Sequence, residues 1–292
     1  MEAGLTSMER EIVLDGVNAT HVRSIYDAVR FDNPCVPHVS RMRTGIGYGG
    51  IRIFPTYTIS RQAHKAGLSR MEEIGDRFTE SVSGSGFERE LAVHDHLSDT
   101  VLYRKDTPSD FSMRGPLLER RGACEGISKA ALYLLRRCGV DAGIISGTTE
   151  SGERHAWNMV HIDGGCYHLD VTWDLGSRNG VTRHDYFNVN DGFMNRGRTW
   201  SDAYPSGSMD ANYYSRRGTT VYRGEDLVKM IREFIARGQE TIEFRICDAL
   251  RERVDGKAVE ESIRIALGTH GGRYSGCYNQ STGCCVFTVH RP

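Results

Sequence analysis

The stretch that decides the fold is Gly122–Val140, "GACEGISKAALYLLRRCGV". Its apolar side chains recur at the spacing of one buried face of an α-helix. Gly139 follows at the position where a left-handed residue commonly ends a helix. We therefore predict a helix that begins at Cys124. The predicted buried stripe contains Ile127, Ala130, Ala131, Leu134, Leu135 and Cys138.

Cys124 is a candidate nucleophile because of its place at this helix N-terminus. Unpaired amides and the positive end of the helix dipole favour a thiolate over a thiol there. Gly122 and Gly126 are predicted to leave room for a substrate carbonyl and to free amides for a developing oxyanion. The Cys124 amide is the first predicted oxyanion donor, and Tyr103 is the candidate for the second. The alternative is that Cys124 is a buried structural cysteine. A base close to the sulfur is needed to argue against that alternative.

The stretch Gly152–Asp174, "GERHAWNMVHIDGGCYHLDVTWD", predicts a β-hairpin. Two β-rich runs flank Asp163-Gly164, which is a strong signal for a two-residue type I′ turn. With that turn Ile162 pairs with Gly165, and alternation along the strands gives one apolar face that suits a core. The predicted apolar face contains Ala156, Val160, Ile162, Tyr167, Leu169, Val171 and Trp173.

The opposite face of the hairpin carries the candidate base. In this register His155 faces Thr172, and Trp157 faces Asp170. His155 and Asp170 are then diagonal neighbours, about 7 to 8 Å apart at the backbone, so that their side chains can meet. Together with Cys124 they supply the nucleophile, base and orienting group of a thiol acyl-transfer triad. Trp157 is predicted to shield this pair and border the substrate, with packing against a neighbouring helix as the alternative.

Two other chemistries compete with this interpretation. His155, His161 and His168 share a strand face and are an alternative metal ligand set, although His161 lies near the turn and far from His155. Cys284 and Cys285, with His290 nearby, are alternative candidates for the nucleophile. They are more simply interpreted as strand residues, because no helix terminus precedes them. The eight cysteines are predicted to be reduced thiols, and the absence of a CxxC pair argues against structural zinc.

Three blocks in order resemble the core of the bacterial transglutaminase-like superfamily, which is papain-like in architecture. They are "GACEGISKAALYLLRRCGV", "HAWNMVHIDGGCYHLDVTWD" and "YFNVNDGFMNRGRTW", and the resemblance covers about residues 91–200. The segment "RFDNPCVPHVSRMRTGIGYGGIRIFPTY" is more loosely similar to regions that accompany this core in multi-part members. The implied fold class is α+β, with the cysteine helix packed on an antiparallel sheet.

The resemblance implies Cys124 as nucleophile, His155 as general base and acid, and Asp170 as the group that orients the imidazole. Many relatives have glutamine after the cysteine, whereas this chain has Glu125, which is expected to add a negative charge near the thiolate. In the third block, Asn188, Asp191 and Trp200 are interpreted as turn and packing residues that brace the site.

The domain organisation follows from two turn-rich stretches. Glycines and serines around residues 82–86 and the polar stretch near residue 205 divide the chain into three predicted regions. These are an N-terminal α+β region at 1–85, the catalytic core at 86–205 and a C-terminal α+β region at 206–292. The C-terminal region is predicted to contain helices, a strand at 241–246 and a closing hairpin.

The composition of the chain limits the classes of molecule that it is expected to bind. The chain has 292 residues, 39% of them hydrophobic and 26% charged, with a formal net charge of −1. This composition is typical of a globular protein. The near-zero net charge gives no positive electrostatic field that would bind nucleic acid. No window approaches a membrane span. The opening residues lack a secretory signal, which predicts a cytoplasmic protein, although a secreted or surface-attached protein with a trimmed N-terminus would look the same.

The predicted function is cysteine-dependent acyl transfer on protein or peptide amides through a thioester. Transamidation, deamidation and peptide hydrolysis share the same triad, because the acceptor decides the product. No cofactor or metal is implied, and the sequence leaves the physiological substrate and the oligomeric state open. The competing hypothesis is a catalytically silent module that keeps the fold for binding or scaffolding.

Overall fold

The computed structural model describes residues 1–178, 180–201, 205–268 and 273–290. Helices and mostly antiparallel sheets alternate along the chain, so the fold is α+β, as predicted. Among the described residues, none of the helices is both long enough and apolar enough to cross a membrane.

The elements are numbered in chain order. The α-helices are α1 (Glu2–Thr6), α2 (Val22–Asp32), α3 (Arg61–Ser81), α4 (Gly86–Thr100), α5 (Cys124–Arg137), α6 (Val171–Asp174), α7 (Asp191–Met194), α8 (Tyr213–Arg216), α9 (Gly224–Ala236), α10 (Asp248–Arg251) and α11 (Gly256–Leu267). The strands are β1 (Ile12–Leu14), β2 (Val39–Gly47), β3 (Gly50–Tyr57), β4 (Leu102–Tyr103), β5 (Arg121–Gly122), β6 (Asp141–Thr149), β7 (Arg154–Ile162), β8 (Gly165–Leu169), β9 (Ser177–Arg178), β10 (Val181–Thr182), β11 (Arg198–Trp200), β12 (Thr220–Val221), β13 (Thr241–Ile246), β14 (Arg273–Asn279) and β15 (Cys284–His290). Short 3₁₀ turns cover Ala19–His21 and Pro108–Phe111, and a π-helical turn covers Gly115–Glu119.

The helix predicted from Gly122–Val140 is α5, and it packs on a four-stranded sheet with the order β11-β6-β7-β8. The predicted stripe on α5 is buried, and it joins sheet residues such as Val160 and Leu169 in one apolar cluster. Burying each large aliphatic side chain of this kind contributes roughly 1.5–3 kcal/mol. Gly139 has a φ of 72° just after the helix, which confirms the predicted end.

The predicted hairpin is formed by β7 and β8. Asp163 and Gly164 have φ values of 51° and 79°, which is the left-handed pair that a type I′ turn requires. Ile162 pairs with Gly165, and the predicted register holds as far as the pair Asn158–Leu169. The position of the turn and the register of the strands are therefore confirmed.

The hairpin ladder ends earlier than predicted. Asp170 leaves the strand and caps α6, its Oδ1 accepting a hydrogen bond from the Trp173 amide at 3.3 Å. The predicted pairs of His155 with Thr172 and of Trp157 with Asp170 therefore do not form. Trp173 was expected on the apolar face, but the helical turn rotates it outward, and it is 41% exposed.

The other face of the central sheet is covered as well. Trp157 and Met159 of β7 pack against the segment that follows the hairpin, including Val189 and Phe193. A backbone bridge between His168 and Val189 attaches that segment to β8. The side chains of β7 are therefore buried in two apolar clusters, one on each side of the sheet.

The flanking regions each have a sheet of their own. An N-terminal sheet has the order β1-β3-β2, and a C-terminal sheet has the order β12-β13-β15-β14, which includes the predicted strand and closing hairpin. Both regions also contribute to the central core, since Met71 of α3 and Cys284 of β15 join the cluster around α5. The boundaries near residues 85 and 205 stay predictions.

Candidate active site

Cys124 is the first residue of α5, as predicted. The preceding Ala123 is extended, with φ −84° and ψ 171°, and among the described residues no side chain caps the helix. The first amides of the helix have no partner within the helix itself, so they remain available near the sulfur. Cys124 is partly buried and lines a cleft of about 310 Å³. Its sulfur therefore has access to a cavity.

A compact loop holds the start of α5. The Asp110 carboxylate receives hydrogen bonds from Arg121 at 2.7 and 2.8 Å, and the Asp110 carbonyl accepts from the Ala123 amide at 2.8 Å. A Cβ on Gly126 would lie 2.2 Å from the Asp110 carbonyl oxygen, and one on Gly122 would lie 2.8 Å from Pro116 Cγ. The prediction that these glycines leave room for substrate is wrong, because protein atoms fill that space.

His155 lies at the beginning of β7 between the two other candidate residues. Its Nε2 is 2.7 Å from Oδ2 of Asp170, and its side chain also hydrogen-bonds the Cys124 sulfur. Since Nε2 is engaged with Asp170, the sulfur is left to Nδ1. Burial lowers the pKa of His155, but Asp170 and the Cys124 sulfur outweigh burial and raise that pKa to about 9. The imidazolium form is therefore favoured at neutral pH.

Asp170 is buried, and a second cation holds it. Arg198 NH2 lies 2.6 Å from the same Oδ2 that meets His155. Burial raises the pKa of Asp170, but His155 and Arg198 outweigh it and hold that pKa at about 2. Asp170 is thus a permanent anion across the physiological pH range, which is what orienting an imidazolium requires.

Arg198 is the site residue that the sequence reasoning missed. It is 3% exposed, and its guanidinium carbon lies 4.3 Å from the ring centroid of Trp173 and 4.5 Å from that of Tyr186. It comes from the three-residue strand β11, which pairs with β6. No local periodicity marks such a short strand, so the third block indicated the region without indicating this residue.

Trp157 packs behind His155 instead of bordering a substrate. It is 1% exposed and stacks on His155 with ring centroids 5.7 Å apart. Its indole N–H donates to His168 Nδ1 at 2.9 Å, and His168 Nε2 lies 2.8 Å from Asp191 Oδ1. The predicted substrate contact of Trp157 is wrong, because the side chain has almost no exposed surface. Its position as a buried wall behind His155 agrees with the shielding interpretation.

Tyr103, the candidate for the second oxyanion donor, lies near the sulfur. It is 43% exposed, pairs with Gly122 across β4 and β5, and shares a cavity of about 550 Å³ with His155. Burial raises the pKa of Tyr103, and negative charge at Cys124 raises it further. The phenol therefore stays protonated and able to donate, and its role stays a prediction.

Glu125 does not act as a free negative charge beside the thiolate. Its carboxylate is 2.8 Å from Lys129 Nζ and also pairs with Arg30 of α2. Burial raises the pKa of Glu125, but these two cations outweigh it and hold that pKa at about 2. The expectation of added negative charge is corrected by this pairing, which also ties the N-terminal region to the start of α5.

The alternative metal set does not come together. His161 is exposed near Asp141 and Cys166, whereas His168 is buried against Trp157 and Asp191. Within the described part of the chain, the donors that do converge are His94, Asp95 and His184. The Asp95 Oδ1 lies 2.9 Å from His94 Nδ1 and 2.8 Å from His184 Nε2, so hydrogen bonds already occupy these atoms.

The other cysteines lack a comparable setting. All eight cysteines lie in the described ranges and are free thiols. Cys284 and Cys285 are buried strand residues, as expected. Burial raises the pKa of the Cys138, Cys166 and Cys284 thiols, which opposes thiolate formation there.

Protein stability is expected to fall as pH rises from about 6.5 to about 9. The folded pKa of His155 is raised from 6.5 to about 9, so its stabilising contribution is complete below 6.5 and is lost as pH passes 9. We expect a loss of roughly 1–3 kcal/mol, measured by urea unfolding across this range. His155→Gln should remove the decline, whereas His161→Gln, at the exposed end of the same strand, should keep it. An equal decline in both variants would contradict the assignment.

Comparison with known protein families finds similarity to one family. The model described as the transglutaminase-like superfamily matches residues 72–171. A search of curated proteins gives no significant match. Among solved structures, a candidate cysteine protease from Cytophaga hutchinsonii is 15% identical, with a TM-score of 0.31, over 45% of this chain and 61% of that chain.

Two further solved structures resemble the chain. A TGase is 10% identical, with a TM-score of 0.34, over 60% of this chain and 53% of that one. The periplasmic domain of TgpA from Pseudomonas aeruginosa bound to ethylmercury is 14% identical, with a TM-score of 0.29, over 43% of this chain and 56% of that one. The chain thus spans between about half and three-fifths of the length of these three proteins.

Proposed function

Because the chain carries a core of the transglutaminase-like superfamily over residues 72–171, we propose that it is a cysteine-dependent acyltransferase that acts on protein or peptide amides. The observation that supports this best is the position of His155. Its imidazole bridges the Cys124 sulfur and the buried Asp170 carboxylate, and the sulfur borders a cleft. Nucleophile, base and orienting group are then in contact in the order that thiol acyl transfer needs.

In the proposed reaction the Cys124 thiolate attacks the carbonyl carbon of an amide. The new carbon–sulfur bond gives a tetrahedral oxyanion, which faces the Cys124 amide at the start of α5. His155 then gives its proton to the departing nitrogen, the carbon–nitrogen bond breaks, and a thioester remains. With its pKa raised to about 9, His155 holds that proton at neutral pH.

The second half of the reaction returns the enzyme to its starting state. Neutral His155 takes a proton from water or from an amine, and the resulting oxygen or nitrogen nucleophile attacks the thioester carbonyl carbon. The carbon–sulfur bond then breaks, the acyl product leaves, and Cys124 returns as a thiolate beside the His155 imidazolium. Water gives hydrolysis or deamidation, whereas a primary amine gives transamidation. Asp170 stays anionic throughout and stabilises each imidazolium that forms, and the buried Trp157 limits access of water from behind.

The test is the reactivity of Cys124 with iodoacetamide near neutral pH. Cys124 should be alkylated faster than the other seven cysteines, and His155→Ala should slow it about a hundredfold. His161→Ala is the matched control and should leave the rate unchanged. Equal rates for Cys124 and an exposed peptide thiol would favour the silent binding module.

Product analysis then identifies the reaction. Glutamine peptides incubated with and without a primary amine are compared by mass spectrometry, with Cys124→Ala as the blank. Gain of about one mass unit indicates deamidation, an amine adduct indicates transfer, and backbone fragments indicate proteolysis. Absence of all three products, together with a slow thiol, would contradict an enzymatic role.

A further inference from the structure

The cleft beside Cys124 is rich in positive charge. Among its described lining residues are the arginines Arg23, Arg30 and Arg154, against one carboxylate, Glu125. An anionic group that enters this cleft would meet cations on the way to the sulfur. An arginine can bind such an anionic group only if carboxylates of the protein do not already engage it.

Two of the three arginines are already engaged with carboxylates of the protein. Arg23 lies 2.9 Å from Asp27. Arg30 lies 2.7 Å from the same residue and also pairs with Glu125. Their charge therefore holds α2 together and attaches it to the start of α5. These pairs contribute to the field of the cleft but have little capacity left for a ligand.

Arg154 differs from both. It is exposed, and no hydrogen bond or ion pair engages its side chain within the ranges that the structure describes. It directly precedes His155 on β7. It also lines both the 310 Å³ cleft with Cys124 and the 550 Å³ cavity with Tyr103. Among the described residues Arg154 is therefore an unpaired guanidinium, one position before His155 in the chain, and it lines both spaces.

We propose that Arg154 selects acyl donors that carry a carboxylate next to the amide under attack, an inference that rests on the function proposed above. A guanidinium presents two parallel N–H donors, which match the two oxygens of a carboxylate. Binding of that carboxylate at the cleft places the neighbouring carbonyl near Cys124. The substrate class is thus an acidic peptide amide.

A pair of alkylating reagents separates this role from simple support of the thiolate. Iodoacetate and iodoacetamide form the same carbon–sulfur bond and release the same iodide, but only iodoacetate is an anion. A residue that only stabilises the thiolate changes both rates together. A residue that recognises carboxylates changes their ratio.

The expected result is that Arg154→Gln lowers the iodoacetate to iodoacetamide rate ratio at Cys124 about three- to fivefold. Arg154→Lys should lower it less. Arg253→Gln, an exposed arginine of the C-terminal region, is the control and should leave the ratio unchanged. The same ratio in wild type and Arg154→Gln would overturn the proposal.

Substrate peptides give the second readout. Two glutamine peptides that differ only in aspartate or asparagine beside the reactive glutamine are compared in wild type and Arg154→Gln. KM for the aspartate peptide should rise about fivefold with little change in kcat, and the asparagine peptide should be unaffected. Equal effects on both peptides would overturn the proposal. If iodoacetamide reactivity still depends on His155, the proposed function survives that failure, whereas an unreactive Cys124 removes both.

Discussion

Asp170→Asn is expected to lower kcat/KM about a thousandfold or more, with the fold retained. Oδ2 of Asp170 meets both His155 at 2.7 Å and Arg198 at 2.6 Å. An asparagine oxygen can accept from only one of these groups with good geometry, and its amide nitrogen must face the other. If the nitrogen faces His155 Nε2, the proton moves to Nδ1, and the imidazole can no longer accept the proton of Cys124.

The measurement compares kcat/KM for the substrate found by product analysis with the rate of Cys124 alkylation. Asp163→Asn is the matched control, because it changes the same side chain at the hairpin turn, where asparagine also tolerates the left-handed backbone. Thermal unfolding of both variants shows whether the fold is intact. A folded Asp170→Asn protein with less than a tenfold loss would mean that His155 works without an orienting carboxylate.

The parts of the site that the sequence predicts are those set by local chemistry. Helix periodicity and Gly139 define α5 and place Cys124 at its start. The Asp163-Gly164 turn fixes the register of the hairpin, and that register brings His155 near the end of β8. In both cases the determining residues lie within a few positions of the feature, so a single sequence contains the necessary information.

The end of the hairpin could have been predicted from the same kind of signal. Asp170 precedes a helical turn and accepts the Trp173 amide, and aspartate is one of the preferred helix N-cap residues. Strict strand alternation instead extended the predicted strand beyond Asp170, through Thr172 and Trp173. The predicted approach of His155 to Asp170 nevertheless survives, because the carboxylate leaves the strand at the level of the imidazole.

The remaining features depend on contacts between distant segments. The cations that neutralise Glu125 include Arg30, from a helix in the N-terminal region. Gly122 and Gly126 are small because the loop around Asp110 and Pro116 presses against them. Neither fact leaves a periodic pattern. Residue type alone suggested an open, negatively charged site, whereas tertiary packing makes it tight and charge-paired.

Arg198 is the feature with the largest expected effect on stability. Arg198→Met is expected to lower the free energy of unfolding at pH 7 by about 3–5 kcal/mol, because it leaves the buried Asp170 carboxylate with His155 as its remaining charge partner. Methionine fills part of the space between Trp173 and Tyr186, so the cost comes chiefly from the uncompensated charge. Urea unfolding measures it directly.

The pH dependence of that loss distinguishes charge pairing from packing. In the wild type the folded pKa of Asp170 is depressed to about 2, so its stabilising contribution is present above the ordinary value of 3.8 and is lost as pH falls through 2. Removing Arg198 raises the folded pKa, so less stability remains to be lost in acid. The difference between wild type and Arg198→Met should therefore be largest near neutral pH and shrink below about pH 4.

Arg245→Met is the matched control for this experiment. Arg245 is also 3% exposed and lies 2.7 Å from a carboxylate, that of Asp248, but it is in the C-terminal sheet, away from Cys124. Its loss should destabilise the protein without changing the pH dependence of Cys124 alkylation. Arg198→Met should shift that dependence, because it removes a cation that shares Oδ2 of Asp170 with His155 and so raises the pKa of the His155 imidazolium. A pH-independent stability loss and an unshifted alkylation profile in Arg198→Met would show that Arg198 only fills space between two aromatic rings.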